Sequence, residues 1–171
     1  MSYNTKRRII MMKKFFTTIG QDSHRIESSK TKPLKLATVE FEADYSLSAN
    51  SDGDVVLHAL TNAISGATTY NVLGKVADQM CKSGITDSVC YLEEAMKEMK
   101  RKEIEIEHVS ISIEALKPKF FPKIEAMRNA IANLINVSVD QIGITATTGE
   151  GLTEFGKGNG IFVTVLLSCS K

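Results

Sequence analysis

Near the C-terminus the stretch "GIFVTVLLS", Gly160 to Ser168, has scarcely a polar side chain in nine residues. It reads as a strand apolar enough to be covered on both faces, so the chain is expected to build layers on a sheet. Upstream, Val109, Ile111 and Ile113 alternate with Ser110, Ser112 and Glu114 as a half-buried strand, and "QIGITATT" supplies another. Phe15 to Gly20 and Leu34 to Glu42 read as an N-terminal strand pair around the polar loop Glu27 to Pro33. A helix is expected from about Asp52 to Gly66, behind a capping-box pattern of Ser51 and Asp54. A second runs from about Asp87 to Lys102, and a third follows Pro122 with Ile124, Met127, Ile131 and Leu134 on one side. The order strand, strand, helix, helix, strand, helix, strand, strand predicts an α/β (α+β) sandwich, with helices on one face of a mixed sheet.

At 171 residues this is one domain over residues 13–171, with residues 1–12 a loose basic tail. The tail's longest apolar run, Ile9 to Met12, is too short for a signal or a membrane span. A formal net charge of +1 points to neither a nucleic acid nor a membrane as partner. Three cysteines without CxxC spacing suit a reducing compartment, hence a cytoplasmic protein.

In "QDSH", Asp22 and His24 stand two residues apart after the first strand, so both can point to one side and reach one ion. By itself such a pair is more often a turn feature than a ligand pair, and a third ligand is needed. His58 is the candidate, since it lies on the helix that follows the acidic turn "NSDGD". Asn62, one turn on, offers a partner to fix its tautomer. Three protein ligands with an open fourth position is the catalytic arrangement for zinc. A third constellation is "TATTGEGL". Thr147, Thr148 and Gly149 offer hydroxyl and N–H groups to phosphate oxygens, and Glu150 a carboxylate to a hard divalent cation. The glycines of "GKGNG" read as a tight turn, with Lys157 toward solvent.

"GQDSHR", "NSDGDVVLHAL" and "TATTGEGL", in this order, resemble the 2-C-methyl-D-erythritol 2,4-cyclodiphosphate synthases of the non-mevalonate isoprenoid pathway, over about residues 14–169. The resemblance implies zinc on Asp22, His24 and His58, and a second cation, Mg2+ or Mn2+, held through substrate phosphates at Glu150. It implies that Thr148 contacts the transition state beside Thr147. It also implies that the Ala115 to Phe121 loop, with Lys117, Pro118 and Lys119, cradles a cytosine. Further implications are a homotrimer with active sites between subunits, and ring closure of a cytidine diphosphate substrate with loss of CMP.

Several positions depart from the family's common pattern. Asn50 stands where a histidine contacts the transition state, beside the substrate-binding Ser51, and Asn62 replaces an acid. "NVLG" keeps Gly74 on the substrate side but puts Val72 in place of a ribose-side acid, and Lys157 takes the place of an arginine near the phosphates. Asn50, "GEGL" and "GITDSV" resemble a divergent, chlamydial-style branch. Two further readings stay open: a non-catalytic trimeric binding protein for isoprenoid diphosphates or nucleotides, and a zinc hydrolase acting on another phosphate ester.

Overall fold

The structure, a computed structural model, describes residues 13–171, and the tail expected over residues 1–12 lies outside them. Its strands are β1 (Phe15–Glu27), β2 (Leu34–Leu36), β3 (Val39–Phe41), β4 (Ser46–Leu47), β5 (Glu105–Glu114), β6 (Ile142–Thr147) and β7 (Gly160–Ser170). Its helices are α1 (Val55–Thr68), α2 (Lys75–Lys82), α3 (Ser88–Arg101) and α4 (Ile124–Ile135). Five strands form one sheet in the order β4-β1-β7-β5-β6, with β5 and β6 parallel and the other neighbours antiparallel. The mixed sheet and the helices laid on it match the expected class.

Three features differ from the sequence reading. The segment expected as one strand from Leu34 is a separate hairpin, β2 with β3, that does not pair with β1. It folds back at Ala37 and Thr38, both at positive φ, a conformation that neither residue type announces. The short helix α2 was not expected, because its apolar face, Val76, Ala77, Met80 and Cys81, spans only eight residues, too short for the periodicity to stand out. Finally, β7 is covered on one face only within the chain. Val163, Val165 and Leu167 are buried beneath the helices, whereas Leu166 is 48% exposed on the opposite face beside Ile19, which is 57% exposed.

Helix α1 is the centre of the fold, with Val55, Leu57, Leu60 and Ile64 all fully buried. Asp54, rather than Ser51, caps it. Its carboxylate accepts the N–H groups of Leu57 (3.1 Å), Ala37 (2.9 Å) and Thr38 (2.7 Å), tying the hairpin turn to the helix start. Burial pushes this carboxyl up to about 6, against the pull of the three N–H groups. A carboxyl raised in the folded state is protonated there first, so its contribution to stability falls as pH rises through about 6. Asp54→Asn cannot titrate. The unfolding free energy of the wild type minus that of Asp54→Asn is therefore expected to be larger at about pH 4.5 than at about pH 7.5, as read by urea denaturation, and a flat difference would contradict this.

Candidate functional site

Along β1 the even-numbered residues face the helices and the odd-numbered ones face away, so Asp22 and His24 share the helix side while Ser23 is exposed on the other. They lie within the strand, opposite Val163 and Ile161 of β7, and not in a turn after it. Two residues earlier, Gly20 lets α1 approach backbone to backbone. A Cβ there would stand 2.2 Å from both the Ala59 carbonyl oxygen and the Ala63 nitrogen. Thr18 reinforces the contact by donating its hydroxyl to the Ala63 carbonyl at 2.8 Å. His58, next to Ala59, is thereby carried over the pair on β1.

The three side chains converge. His58 Nδ1 lies 3.0 Å from Asp22 Oδ2 and 3.0 Å from His24 Nε2, and His24 Nε2 lies 3.5 Å from Asp22 Oδ2. A tetrahedral ion bound at about 2.0–2.1 Å spaces its ligand atoms by about 3.3 Å, so a carboxylate and two imidazoles in this triangle suit a divalent metal with one side left open. For Asp22, burial works to raise the carboxyl but is outweighed by the contact with His58, the charge of His24 and the Ser23 N–H, leaving it below the ordinary range. Burial lowers the His24 imidazole, with the Asp22 charge opposing.

Asn62 does not contact His58 but donates to the Gln21 carbonyl at 2.9 Å. The far nitrogen of His58, Nε2, meets Ser88 Oγ at 2.9 Å and Ser51 Oγ at 3.3 Å. The triangle forms the floor of a cavity of about 690 Å³, with Asn50, Ser51 and Asn62 on its walls and α2 contributing Asp78 and Cys81. Lys32 fixes the wall bearing Asn50 by donating to the carbonyls of Ala49 (2.7 Å) and Ser51 (2.6 Å). Val72 is buried, and Gly74 starts α2 at φ 137°. Sequence reasoning missed Ser88, Lys32 and the α2 wall. "GITDSV" carried the only signal for Ser88, and it reads equally well as a helix start.

The threonine turn lies elsewhere on the molecule. Thr147 ends β6, Thr148 donates its hydroxyl to Glu150 at 3.0 Å, and the Gly149 N–H donates to Thr147 Oγ1 at 3.2 Å. Gly149 has φ 69°, and a Cβ there would stand 2.3 Å from a Glu114 carboxylate oxygen, so the turn needs glycine. Beside it a slot of about 380 Å³ is lined by Ala115, Pro118, Lys119, Phe121, Thr147 and Thr148. Lys117 turns away from this slot, its ammonium 4.4 Å above the Tyr45 ring, and Lys157 pairs with Glu154 at 2.8 Å. Asp22, Val163, Ile113 and Ala146 stand in one row across four adjacent strands. The metal triangle and the threonine turn are thus three strand spacings, roughly 14 Å, apart in one chain.

Residues 15–169 match the model of the YgbB family. The 2-C-methyl-D-erythritol 2,4-cyclodiphosphate synthase of Chlamydia felis is 52% identical over 145 residues, covering 84% of this chain and 82% of that protein. The enzyme of the same name from Chlamydia trachomatis serovar A is 46% identical over 145 residues, covering 84% of this chain and 81% of that one. Among solved structures, the bifunctional IspDF from Campylobacter jejuni superposes with a TM-score of 0.85 at 30% identity, over 93% of this chain and 43% of that longer one. A 2C-methyl-D-erythritol-2,4-cyclodiphosphate synthase in a CDP-bound form gives a TM-score of 0.77 at 26% identity, over 89% of this chain and 98% of that one.

Proposed function

This chain belongs to the YgbB family, and on that premise we propose that it is an enzyme converting 4-diphosphocytidyl-2-C-methyl-D-erythritol 2-phosphate into 2-C-methyl-D-erythritol 2,4-cyclodiphosphate and CMP. The observation that carries this reading is the triangle of Asp22, His24 and His58 on the floor of an open polar cavity. An oxygen of the substrate's 2-phosphate attacks the β-phosphorus, and the bond from that phosphorus to the CMP oxygen breaks. No water, redox cofactor or protein nucleophile is consumed. The obstacle is the approach of two anions, so positioning and charge stabilisation are what the residues must supply.

Asp22, His24 and His58 would hold Zn2+, which when bound supplies Lewis-acid stabilisation of phosphate charge. Asn50 and Ser51, fixed through Lys32, offer hydrogen bonds at the cavity wall. The apolar slot between Phe121 and Ala115 suits a flat base, with Lys119 at its side for phosphate charge. Thr148, Gly149 and Glu150 form the end that meets phosphates, Thr148 by its hydroxyl and Glu150 through a second cation, Mg2+ or Mn2+.

The separation of roughly 14 Å between the two halves supports a homotrimer in which one chain's nucleotide slot faces its neighbour's metal cavity. The exposed Ile19 and Leu166 on the open face of the sheet offer apolar surface for such an assembly. Among the described residues no helix is long and apolar enough to cross a membrane. Three cysteines without CxxC spacing suit a reducing compartment, and the reading places the enzyme in the cytoplasm.

The protein incubated with the cytidine diphosphate substrate, zinc and magnesium is expected to release CMP and cyclic diphosphate in equal amounts, as followed by phosphorus NMR. Linear monophosphates in place of the cyclic product would turn the assignment to a hydrolase. Binding of CDP without any turnover would turn it to a binding protein.

A further inference from the structure

Behind the metal triangle, on the side of His58 away from Asp22, lies a buried polar link from the turn before α1 to the start of α3. We propose that Ser88, oriented by Asp52, is the positioning residue that keeps Nδ1 of His58 free of hydrogen and available to a metal ion. This rests on reading Asp22, His24 and His58 as a metal centre.

Ser88 is the first residue of α3 and is fully buried. Its Oγ lies 2.9 Å from His58 Nε2, and its hydroxyl donates to Asp52 Oδ1 in a short bond. The Ser88 N–H donates to the other oxygen of Asp52 at 3.2 Å, and the Asp52 N–H donates to the Thr86 carbonyl at 2.8 Å, so the carboxylate is clamped to the helix start. An ionised carboxylate can only accept, and a serine has one hydroxyl hydrogen to give. With that hydrogen committed to Asp52, Ser88 presents lone pairs to His58 at 2.9 Å, closer than Ser51 Oγ at 3.3 Å, and this nearer contact makes Nε2 the nitrogen that donates. A neutral imidazole carries a single N–H, so Nδ1 is left as a lone pair. Nδ1 is also the atom 3.0 Å from both Asp22 Oδ2 and His24 Nε2.

The competing arrangement places the hydrogen on Nδ1, where Asp22 would accept it. A metal would then have to displace that hydrogen before binding. Ser51 cannot substitute fully for Ser88, because its oxygen is farther from Nε2, at 3.3 Å, and no carboxylate holds its hydrogen away from His58 as Asp52 does for Ser88.

Two measurements on the full-length chain test this. In the metal-free protein, nitrogen NMR of labelled histidine reads which His58 nitrogen bears hydrogen, and competition with a chromophoric chelator reads zinc affinity. The wild type is expected to carry hydrogen on Nε2. In Ser88→Ala it is expected on Nδ1, with zinc bound about 10–100-fold more weakly, while Ser88→Thr keeps both properties of the wild type. A serine that merely stabilised the helix start would lower the melting temperature without moving the tautomer. Hydrogen on Nδ1 in the wild type, or zinc affinity of Ser88→Ala within about threefold of wild type, would overturn the proposal. A wild type that takes up no zinc would reject the metal reading itself, and the tautomer result would then still decide the role of Ser88.

Discussion

His58→Ala is expected to lower kcat/KM for CMP release by on the order of 10³-fold and to abolish stoichiometric zinc binding. Asp22 and His24 sit on one strand and can offer only two ligand atoms, 3.5 Å apart, whereas His58 closes the triangle from α1. Two ligands do not retain zinc against dialysis, and a lost Lewis acid removes several kcal/mol of charge stabilisation from a reaction between anions. The fold is expected to survive, since Asp22 and Ser51 line a cavity already open to water, and Ser88 keeps its bonds to Asp52. Metal analysis after dialysis and a CMP-release assay check this together. One zinc per chain with turnover near wild type would remove His58 from the site.

Gly20→Ala is expected to be the most damaging small substitution outside the ligands. The new methyl would meet the Ala59 oxygen and the Ala63 nitrogen at 2.2 Å, and these are backbone atoms that cannot swing aside. The strand and α1 must part, at a cost of about 1–3 kcal/mol for such overpacking, and His58 moves with the helix. Zinc affinity should therefore fall together with the melting temperature. Gly66→Ala is the control, because a Cβ there meets the nearest atom, Thr18 Cβ, at an ordinary 3.4 Å, and alanine favours the helix. Equal melting temperatures for the two variants would show that the close approach at Gly20 carries no weight.

Much of the site was legible because periodicity reports which residues share a face. The two-residue spacing put Asp22 and His24 together even though the strand boundary was set too early, since Gly20, Gln21 and Ser23 interrupt the apolar pattern that would have extended it. The pairing that keeps β1 going to Glu27 comes from β7, which is far away in the chain. The alternation of Val109, Ile111 and Ile113 survived intact in β5, because one face of that strand is buried and the other is not. What a single sequence could not convey were contacts fixed by tertiary approach. Asn62 is one helical turn from His58, yet its amide reaches across to β1, while the true neighbour of Nε2, Ser88, is thirty residues away. The helix α2 was hidden for a different reason, since its apolar face of Val76, Ala77, Met80 and Cys81 covers barely two turns and is too brief to read as a period.

The contact between Gly20 and α1 also bears on which cation the protein admits. Calcium prefers six to eight oxygen ligands at about 2.3–2.6 Å, so two imidazoles and one carboxylate already disfavour it, and what the close approach adds is a fixed spacing of those three donors. Side-chain rotation offers no relief, because His58 is held from behind by Ser88 and Asp22 by the Ser23 N–H. The spacing of the three donor atoms is thus set in part by a residue with no donor atom in its side chain, through the distance at which two backbones come to rest.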